Sequence, residues 1–551
     1  MKAVLKEKIK EVLTMLGIEG VEPVMEHPAD FSHGDFATNV AMVAAKDAGM
    51  NPRELAKKIV QELGTIEIEN VEKIEVAGPG FINFHLSRNY YASVLQNTSI
   101  ETWGRNDSLQ DRRVLIEKSA PNLFKPFHVG HLLNISIGES LSRLNRFSGA
   151  DVTDVAYPSD ISLGVAKAVW SILKNNKEDE LSIAAMGEAY VDGTQQYGES
   201  EKAKKEIDAI NIALNKKEKG DAWRVYETGR KLNLEYFEAI TKRLGSEFAG
   251  MFFESTSGEI GKEIVLKNVP GVFEESQGAV IFKGEAYGLH TRVFITSQGL
   301  PVYESKDIGL LKQKFDTYHP DISIVITDVE QKQYFEVIKK AASLINETWG
   351  RNSVYWQHGR LRFVGGKVSS RYGNVPLAEE LIEQVKAIVS EKQSRGDKNV
   401  SEHVAIAALK YAFLRSGSGK NIVFDFEQSI AVDGDSGPYL QYTHARAVSV
   451  LEKAGEAMMI NHSSLVPKEV AEFERLLPRF PAVVERAAFE YEPHHVTTYL
   501  TELASSFNSW YAKERILGDT HEAYKLMLTR AFATTMKNGL WLLGIEAPER
   551  M

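Results

Sequence analysis

The fold is decided by the stretch VLIEKSAPNLFKPFHVGHLLNISI, residues 114–137. Its first three residues, Val114-Leu115-Ile116, form a short apolar run that is typical of a buried parallel strand. A loop rich in proline, asparagine and lysine follows, and apolar residues at helical spacing predict a long amphipathic helix from near His131. Strand, loop and helix in this order predict one half of a doubly wound α/β unit.

The loop enters the helix through Lys125-Pro126-Phe127-His128-Val129-Gly130-His131, where two histidines flank a glycine. A helix N-terminus presents free N–H groups and a partial positive charge, which suits a phosphate group. Gly130 lets a nucleotide approach the backbone, and the two imidazoles can donate hydrogen bonds to a phosphate that gains charge in a transition state. An ordinary helix cap with incidental histidines stays open as the alternative. A metal site is a poorer interpretation, because no third ligand is evident.

A second glycine-rich segment, GGKVSSRYGN at residues 365–374, carries Lys367. Paired glycines before the lysine and another glycine after it predict a mobile loop that carries a point charge. Such a lysine can neutralise a triphosphate as pyrophosphate departs. An ordinary surface loop is the alternative.

Composition excludes several classes of protein. The 551 residues are 43% hydrophobic and 25% charged, the usual balance of a globular protein. The sequence has no cysteine, which excludes disulfides, thiolate zinc sites, iron–sulfur clusters and cysteine nucleophiles. A net charge of −10 weighs against charge-driven, non-specific nucleic-acid binding. No apolar run approaches about 18 residues, so no membrane helix is expected.

Changes in pattern along the chain predict three domains. Residues 1–95 have the mixed pattern of a small α+β domain. Residues 112–395 predict the α/β domain, with a highly charged helical insertion at about 173–255. Residues 396–551 are predicted to be all-helical. Inside the α/β domain, strand-like runs predict a second half of the doubly wound sheet. These runs are residues 279–282, 293–297 and 322–327.

Two motifs together resemble a known family. HVGH at residues 128–131 and KVSSR about 240 residues later form a pair similar to the signature of class I aminoacyl-tRNA synthetases. PNLFKPFHVGHL and GGKVSSRYGNV resemble the arginyl-tRNA synthetase family's forms of these motifs. HGDFATNVA (33–41) and AGPGFINF (77–84) are similar to that family's N-terminal domain. YLQYTHARA (439–447) and NGLWLLGIEAPERM (538–551) are similar to its C-terminal domain. The resemblance covers nearly the full chain.

The resemblance implies an α/β fold, with a class I Rossmann-type catalytic domain that carries a helical insertion. It implies an N-terminal α+β domain that contacts the tRNA elbow and a C-terminal all-α domain that binds the anticodon. The implied reaction activates L-arginine with ATP, accompanied by Mg²⁺, to arginyl-adenylate. Arginine then passes to the terminal ribose 2′-OH of tRNA(Arg). We also expect that activation needs bound tRNA, and that the protein is a cytoplasmic monomer with no membrane partner.

The resemblance implies the arginine-binding residues Glu117, Asn122, Tyr303, Asp307 and Gln331. A guanidinium offers five donors in a rigid fork, and carboxylates such as Glu117 and Asp307 satisfy it in a planar, bidentate way. A lysine substrate would leave such carboxylates partly unpaired. The amides of Asn122 and Gln331 suit a zwitterionic head group. Without the resemblance, the favoured interpretations are a helix N-cap for Asp307 and a strand-end salt bridge for Glu117.

The resemblance implies ATP contacts as well. Lys125, His128, Gly130 and His131 would contact the nucleotide, with the two histidines on its phosphates. Lys367 would contact the departing pyrophosphate, and Ser369 would support the loop of Lys367. We therefore expect the catalytic residues His128, His131, Lys367 and Ser369.

Six residues are candidates for tRNA contacts. Two are assigned to the tRNA elbow and four to the anticodon loop, which we expect to be recognised by stacking and shape. For each of the six, a packing role is an open alternative. They are Phe36 and Asn39 for the elbow, and Tyr439, Tyr442, Arg446 and Met551 for the anticodon.

The chain departs from the family pattern at three places. Ser370 stands where the second signature usually has lysine. Leu133 and Asn134 stand where the family often has arginine and a small hydroxyl residue. The segment 157–161, YPSDI, replaces a motif that often carries tryptophan after the aspartate.

Other functions within the superfamily are alternatives. A non-catalytic relative that binds tRNA is disfavoured by the intact His128, His131 and Lys367. A nucleotidyltransferase that transfers AMP without tRNA is disfavoured by the resemblance to an anticodon domain. A cysteinyl enzyme is disfavoured because its thiol selection uses a zinc site with cysteine ligands, which this sequence lacks.

Overall fold

The structure is a computed structural model, and it describes residues 1–98, 100–364, 376–392, 398–455 and 466–551. The chain forms two compact units, and each combines segments that are far apart in the sequence. The first consists of Met1–Trp103, Ala447–Phe480 and Glu502–Thr535, and the second of Gly104–Arg446, Pro481–Thr501 and Met536–Met551.

The first unit begins with a small α+β fold. Its elements are α1 (Lys2–Met15), β1 (Phe36–Thr38), α2 (Val40–Ala44), α3 (Pro52–Leu63), β2 (Val71–Ala77), β3 (Phe81–Leu86) and α4 (Arg88–Thr98). The three strands form an antiparallel sheet with β3 in the centre. Leu5, Ile9 and Leu13 recur every four residues along α1, and all three are buried in the core of this fold.

The second unit holds the α/β fold with its helical insertion, followed by further strands and helices. Its elements are β4 (Arg113–Ser119), α5 (Val129–Phe147), β5 (Asp151–Ala156), α6 (Leu163–Lys174), α7 (Ile183–Glu199), α8 (Glu201–Asn215), α9 (Asp221–Arg243), β6 (Gly250–Met251), α10 (Glu254–Lys267), β7 (Glu274–Ser276), β8 (Ala279–Phe282), β9 (Arg292–Ile295), α11 (Tyr303–Tyr318), β10 (Ile322–Asp328), α12 (Lys332–Ile345), α13 (Glu347–Arg351), β11 (Ser353–His358), β12 (Leu361–Val364), α14 (Ala378–Lys392), α15 (Lys398–Leu414), β13 (Ile422–Asp425) and α16 (Phe426–Ser429).

The described C-terminal residues are helical from Gly437 onward and are divided between the two units. Their helices are α17 (Gly437–Ala454), α18 (Glu472–Leu476), α19 (Phe480–Phe489), α20 (His494–Tyr511) and α21 (Glu522–Leu542).

Five strands make one parallel sheet in the order β11-β10-β4-β5-β6. The chain starts at the central strand β4, adds β5 and β6 on one side, and then adds β10 and β11 on the other. Glu117 in β4 lies opposite Val155 of β5 and Val325 of β10. This order is that of a doubly wound sheet, in which ligands bind beyond the carboxyl ends of the strands where the order reverses. The predicted fold class is confirmed.

The predicted second half of the sheet is wrong for two of its three strands. Residues 322–327 join the parallel sheet within β10, but the other two runs belong to a separate antiparallel sheet, β7-β8-β9. Gln277 and Gly278 both have positive φ, and they form the tight turn that folds β8 back onto β7. A two-residue turn of this kind joins antiparallel neighbours, whereas a parallel sheet needs a crossover.

One strand also interrupts the region predicted to be all-helical. Strand β13, Ile422–Asp425, pairs in parallel with β12. Ile422 and Phe424 are buried and Val423 is exposed, which is the two-residue period of a half-buried strand. Four residues are too few for that alternation to stand out among long helices.

The helical insertion, α6 to α9, has its own apolar core. Phe124, from the loop between β4 and α5, is part of that core and stacks on Tyr226 of α9 with 6.5 Å between ring centroids. The backbone N–H of Phe124 donates to Asn233 Oδ1 across 3.2 Å. The insertion therefore fixes the loop that leads into the histidine motif.

The far end of α5 is held by the end of α21. Arg143 Nη1 of α5 donates to the carbonyl of Trp541 in the last turn of α21 across 2.9 Å. Lys410 Nζ of α15 donates to the carbonyl of Gly544, just after α21, across 2.5 Å. The last carbonyls of a helix lack intrahelical partners and carry partial negative charge, so cations satisfy them well. Burial lowers the pKa of Lys410 to about 7. Helix α5 is thereby anchored at the end opposite its histidines.

A buried carboxylate joins the N-terminal fold to helix α18 within the first unit. Asp35 Oδ2 accepts a 2.7 Å hydrogen bond from the backbone N–H of Leu86. Asp35 Oδ1 accepts hydrogen bonds from the hydroxyl of Tyr91 and, across 2.5 Å, from Arg475 Nη1. Only 5% of the Asp35 side chain is exposed. A carboxylate this deeply buried is stable only because each of its oxygens has a partner.

Asp35→Ala is expected to destabilise the first unit by about 3–5 kcal/mol, because it removes the acceptor of three hydrogen bonds and leaves the half-buried Arg475 without its counter-charge. Urea unfolding followed by fluorescence and circular dichroism measures the change. Glu67→Gln, an exposed acid of the same fold, is the control and should alter stability by less than about 0.5 kcal/mol. Equal stability of the two variants would contradict this assignment.

Candidate active site

The described residues predicted to bind arginine and ATP lie in or after β4, on α11, and after β10. The histidine motif follows β4 and opens α5. Asp307 lies on α11, the helix that precedes β10. The site is therefore built from both halves of the sheet, at the switch point where such folds bind ligands.

The two histidines hold each other through the first turn of α5. His128 is the N-cap residue, and its Nδ1 accepts a 3.1 Å hydrogen bond from the N–H of Gly130. The N–H of His128 donates to Nδ1 of His131 across 3.2 Å. The rings stack with centroids 3.7 Å apart. A Cβ on Gly130 would lie 3.0 Å from the His128 ring, so the glycine gives this ring its place over the helix.

This geometry fixes the chemical state of both rings. Because each Nδ1 accepts a backbone hydrogen bond, the proton of each neutral imidazole is on Nε2. Burial and the nearby Lys125 lower the pKa of His128 to about 4. Burial, then His128 and Lys125, lower the pKa of His131 well below its usual value. Both histidines are thus neutral donors at physiological pH. The helix-cap alternative holds for His128. Because the cap uses Nδ1 as an acceptor, it leaves the proton on Nε2, the atom that would donate to a phosphate.

Lys125 lies beside the motif and over an aromatic ring of the insertion. Its Nζ is 5.4 Å from the ring centroid of Tyr190 on α7, within cation–π range. The same tyrosine ring packs against Gly164, at whose position a Cβ would be 3.1 Å from Tyr190 Cε2. Tyr190 therefore limits where the Lys125 ammonium can lie.

Glu117 carries a buried charge in the central strand. Lys314 Nζ of α11 lies 2.5 Å from Glu117 Oε2, and the two side chains are 1% and 6% exposed. The salt-bridge alternative is therefore confirmed as a contact, although Glu117 lies within β4 and not at its end. Its position at the switch point leaves the predicted role in binding open.

Asp307 lies inside α11, one helical turn after Tyr303. Its Oδ2 accepts a 2.6 Å hydrogen bond from the hydroxyl of Tyr334 on α12. Burial raises the pKa of Asp307 to about 7, and the charges of Glu117 and Glu254 contribute to that rise. The helix-cap alternative for Asp307 is wrong, because the helix begins at Tyr303. The polar stretch at 303–307 is the first turn of α11 rather than a preceding loop.

Three residues that interact with Glu117 or Asp307 were not predicted from the sequence. They are Lys314, Tyr334 and Glu254, which pairs with Lys306 across 2.6 Å. Lys314 comes seven residues after Asp307, and this spacing places both on one face of a helix. That period was the available signal for Lys314. Tyr334 and Glu254 come from neighbouring helices, and no local pattern connects them to Asp307.

The two amides assigned to the amino-acid head group are exposed at the ends of strands. Asn122 follows β4, and its backbone forms an isolated parallel bridge with Ser159. Gln331 ends the short 3-10 turn Val329–Gln331 that follows β10. Tyr303 is 55% exposed at the start of α11. These three side chains stand at the rim of the site, whereas Glu117 is buried within it.

Lys367 and Ser369, assigned to pyrophosphate release, lie outside the described residues, as does the departure at Ser370. The departure at Asn134 has a partner: its Oδ1 is 2.8 Å from His358 Nε2 at the end of β11. The departure at 157–161 also makes defined contacts. Asp160 is buried and accepts hydrogen bonds from the N–H and hydroxyl of Ser255 on α10, across 2.9 and 2.7 Å.

The tRNA candidates differ in exposure. Phe36 is 6% exposed and packs in the core of the N-terminal fold, so it fits the packing alternative better than a tRNA contact. Asn39 is half-buried at the start of α2. Tyr442 is partly exposed, and the guanidinium of Arg446 lies 4.8 Å from its ring centroid. Tyr439 is half-buried and Met551 is exposed.

Neither a metal-binding cluster nor a membrane-crossing helix occurs in the described part of the chain. Over those residues, no group of three or more His, Asp or Glu side chains is arranged to hold a metal ion. None of the helices found there has the length and apolar character needed to cross a bilayer.

Three family models match the chain. The model described as "tRNA synthetases class I (R), catalytic domain" matches residues 94–426. "Arginyl tRNA synthetase N terminal domain" matches residues 2–86, and "DALR anticodon binding domain" matches residues 440–551.

Individual proteins match over the whole length. The arginine–tRNA ligase of Clostridium perfringens is 30% identical, with 100% of both chains covered. That of Clostridium acetobutylicum is 29% identical, also over 100% of both chains. Among solved structures, arginyl-tRNA synthetase of Thermus thermophilus has a TM-score of 0.81 at 24% identity over 100% of both chains. That of Plasmodium falciparum has a TM-score of 0.82 at 19% identity, covering 100% of this chain and 99% of its own. These two structures agree in fold.

The catalytic-domain model matches more than half of the chain, and the parallel sheet carries paired histidines at its switch point. These two features define a class I aminoacyl-tRNA synthetase. Both flanking domains match their own models as well. The chain belongs to the arginyl-tRNA synthetase family, and it is an enzyme that ligates arginine to tRNA. The predicted family, fold class and reaction are confirmed. The predicted domain limits at 95, 112, 395 and 396 stay predictions.

His128 is expected to be neutral down to about pH 5, and His131 to be neutral at pH 7 because its pKa is lowered well below the usual value; both rings should carry the proton on Nε2. Long-range nitrogen–proton NMR on histidine-labelled protein reports the tautomer and charge of each ring. His128→Asn and His131→Asn assign the signals. A ring with its proton on Nδ1, or one that becomes charged near neutral pH, would contradict this description.

Proposed function

We propose that Glu117 and Asp307 bind the guanidinium of arginine. The observation that carries this proposal is the pair of coupled carboxylates at the switch point, one of them with its pKa raised to about 7. A bound cation favours the ionised form of such a carboxyl group. Tyr303 lies one helical turn from Asp307, and the rim amides Asn122 and Gln331 are suited to the amino-acid head group.

ATP is the family's second substrate, and we propose that its phosphates bind at the first turn of α5. The Nε2–H groups of His128 and His131 provide uncharged donors, the helix N-terminus provides N–H groups including that of Gly130, and Lys125 provides the charge. Hydrogen bonds from neutral donors become stronger as the phosphate gains charge in the transition state. Such donors do not bind the phosphate too tightly in the ground state. Lys367 and Ser369 remain proposed for the pyrophosphate side.

The proposed reaction has two steps. A carboxylate oxygen of arginine attacks the α-phosphorus of ATP, the bond to the bridging oxygen breaks, and pyrophosphate leaves. The terminal ribose 2′-OH of tRNA(Arg) then attacks the carbonyl carbon of arginyl-adenylate, and AMP leaves. The protein orients the reactants and stabilises charge. Mg²⁺ is proposed to arrive on the ATP phosphates.

The tRNA contacts are proposed for the flanking domains. Tyr439, Tyr442 and Arg446 recur at spacings of three and four residues and so share a face of α17. An aromatic ring with a stacked guanidinium is suited to unpaired bases. Met551 and Asn39 complete the proposed set. A monomeric state and a cytoplasmic location stay predictions.

Asp307→Asn and Glu117→Gln are each expected to raise the KM for arginine by about 10- to 150-fold, because each removes a charged hydrogen-bond acceptor worth about 1.5–3 kcal/mol. The KM values for ATP and tRNA should change by less than about threefold. Steady-state charging of tRNA measures all three values. Asp316→Asn on the exposed side of α11 is the matched control. An unchanged KM for arginine in both site variants would refute the proposed pocket.

Arginine binding is expected to weaken as the pH falls below about 7, the pKa of Asp307 in the free protein. Protonation removes the charge that the guanidinium needs, and above that pH the carboxylate is already ionised. The KM for arginine should therefore rise toward acid pH in the wild type. Asp307→Asn should flatten that rise. A wild-type profile that is flat on both sides of pH 7 would contradict the prediction.

Activation of arginine is expected to need bound tRNA. ATP–pyrophosphate exchange should appear only when tRNA(Arg) is added. A tRNA oxidised at its terminal ribose, which cannot accept arginine, separates activation from transfer. Exchange of equal rate without tRNA would keep the enzyme but refute the coupling.

A further inference from the structure

Each of the two proposed guanidinium-binding carboxylates has one oxygen already engaged by the protein. Lys314 Nζ lies 2.5 Å from Oε2 of Glu117, as an ion pair rather than an aligned hydrogen bond. Tyr334 donates its hydroxyl to Oδ2 of Asp307 across 2.6 Å. Within the described residues, neither Oε1 of Glu117 nor Oδ1 of Asp307 accepts a hydrogen bond. Each carboxylate thus keeps one oxygen that no described protein donor occupies.

A buried cation in an arginine pocket needs a physical reason, since it repels the substrate. The reason is the proximity of the two carboxylates. Two carboxylates in a site with little water repel each other and tend to share one proton. Lys314 is the buried cation that opposes this repulsion, and its contact is with Glu117, the more deeply buried of the two.

Several ionisable groups face Asp307 from the elements packed around it. The acidic ones raise its pKa and Lys314 lowers it. The tyrosines among them have their own pKa values raised by burial and by these acids. The set comprises Glu117 of β4, Tyr157 after β5, Glu254 of α10, Lys314 of α11, Tyr334 of α12 and Tyr355 of β11.

We propose that Lys314 is a positioning residue for arginine. It occupies one oxygen of Glu117 and thereby presents the other oxygen, together with the single open oxygen of Asp307, to two different nitrogens of the guanidinium. The inference rests on the proposed binding role of Glu117 and Asp307. A guanidinium carries donors on three nitrogens in a rigid plane, whereas an ammonium has one nitrogen. A pocket with one open oxygen on each of two groups therefore favours the forked cation.

The first test is Lys314→Met against Lys312→Met. Lys312 is 44% exposed on the same helix and pairs with Asp316 across 2.5 Å, so it controls for loss of a lysine from α11. Lys314→Met is expected to raise the KM for arginine by about tenfold or more, with the KM for ATP and for tRNA within about twofold of wild type. The acid rise of the arginine KM should also move to higher pH, because Lys314 lowers the pKa of Asp307. Lys312→Met should change none of these values.

A double-mutant cycle tests whether Lys314 acts through Glu117. In a Glu117→Gln background, assayed well above the pKa of Asp307 so that its ionisation does not depend on Lys314, Lys314→Met is expected to change the arginine KM by no more than about twofold. Lys314→Arg keeps the charge and should recover most of the affinity. The double variant Glu117→Gln, Lys314→Met buries no unpaired charge at this pair. If Lys314→Met alone does not fold, the double variant can still be compared with Glu117→Gln.

The outcomes separate this inference from the proposed function. If folded Lys314→Met has a wild-type arginine KM and pH profile while Asp307→Asn and Glu117→Gln are impaired, the pocket stands and the role of Lys314 is refuted. If the Lys314 effect is as large in the Glu117→Gln background as in the wild type, Lys314 does not act through Glu117 and the inference also fails. If Asp307→Asn and Glu117→Gln leave the arginine KM unchanged, the proposed pocket itself fails.

Discussion

A charge in the interior of a parallel sheet must find its counter-charge within the protein, because no water reaches it. Strand β4 carries two such charges at successive positions, and successive side chains point to opposite faces. Glu117 meets Lys314 on one face, whereas Lys118 meets Glu139 of α5 on the other, across 2.6 Å. Strand β4 is therefore joined to α11 and to α5 by ion pairs of opposite sense, and the first of these pairs includes the carboxylate that we propose for arginine binding.

The two sides of the site differ in electrostatic character. On the nucleotide side, burial keeps His128 and His131 uncharged, so they add hydrogen-bond donors without adding charge to the floor of the site. On the amino-acid side, burial acts on carboxyl groups and brings Asp307 close to half ionisation near neutral pH. The same physical cause, removal from water, thus produces neutral donors where we propose that ATP binds and a proton-sensitive acceptor where we propose that arginine binds.

Local features were predictable from the sequence, and contacts between distant elements were not. The apolar run at 114–116 and the glycine between two histidines specify a buried strand and a helix start by themselves, so the central strand and α5 were anticipated. The charged helical insertion was also anticipated. Lys314 and Tyr334 act on the site through packing of α11 and α12, which sequence spacing shows only within one helix. The tight turn at Gln277-Gly278 was overlooked, and with it the separate antiparallel sheet.

The ion pair between Asp35 and Arg475 has a consequence for biosynthesis. The two residues are 440 positions apart, so a ribosome adding about 5–20 residues per second makes the arginine about 20–90 s after the aspartate. During that interval the N-terminal fold exists without the cation that balances its buried carboxylate. Asp35 must then stay hydrated, or rely on Tyr91 and the Leu86 amide alone. The first unit therefore cannot reach its final stability until Arg475 has been synthesised and can pair with Asp35.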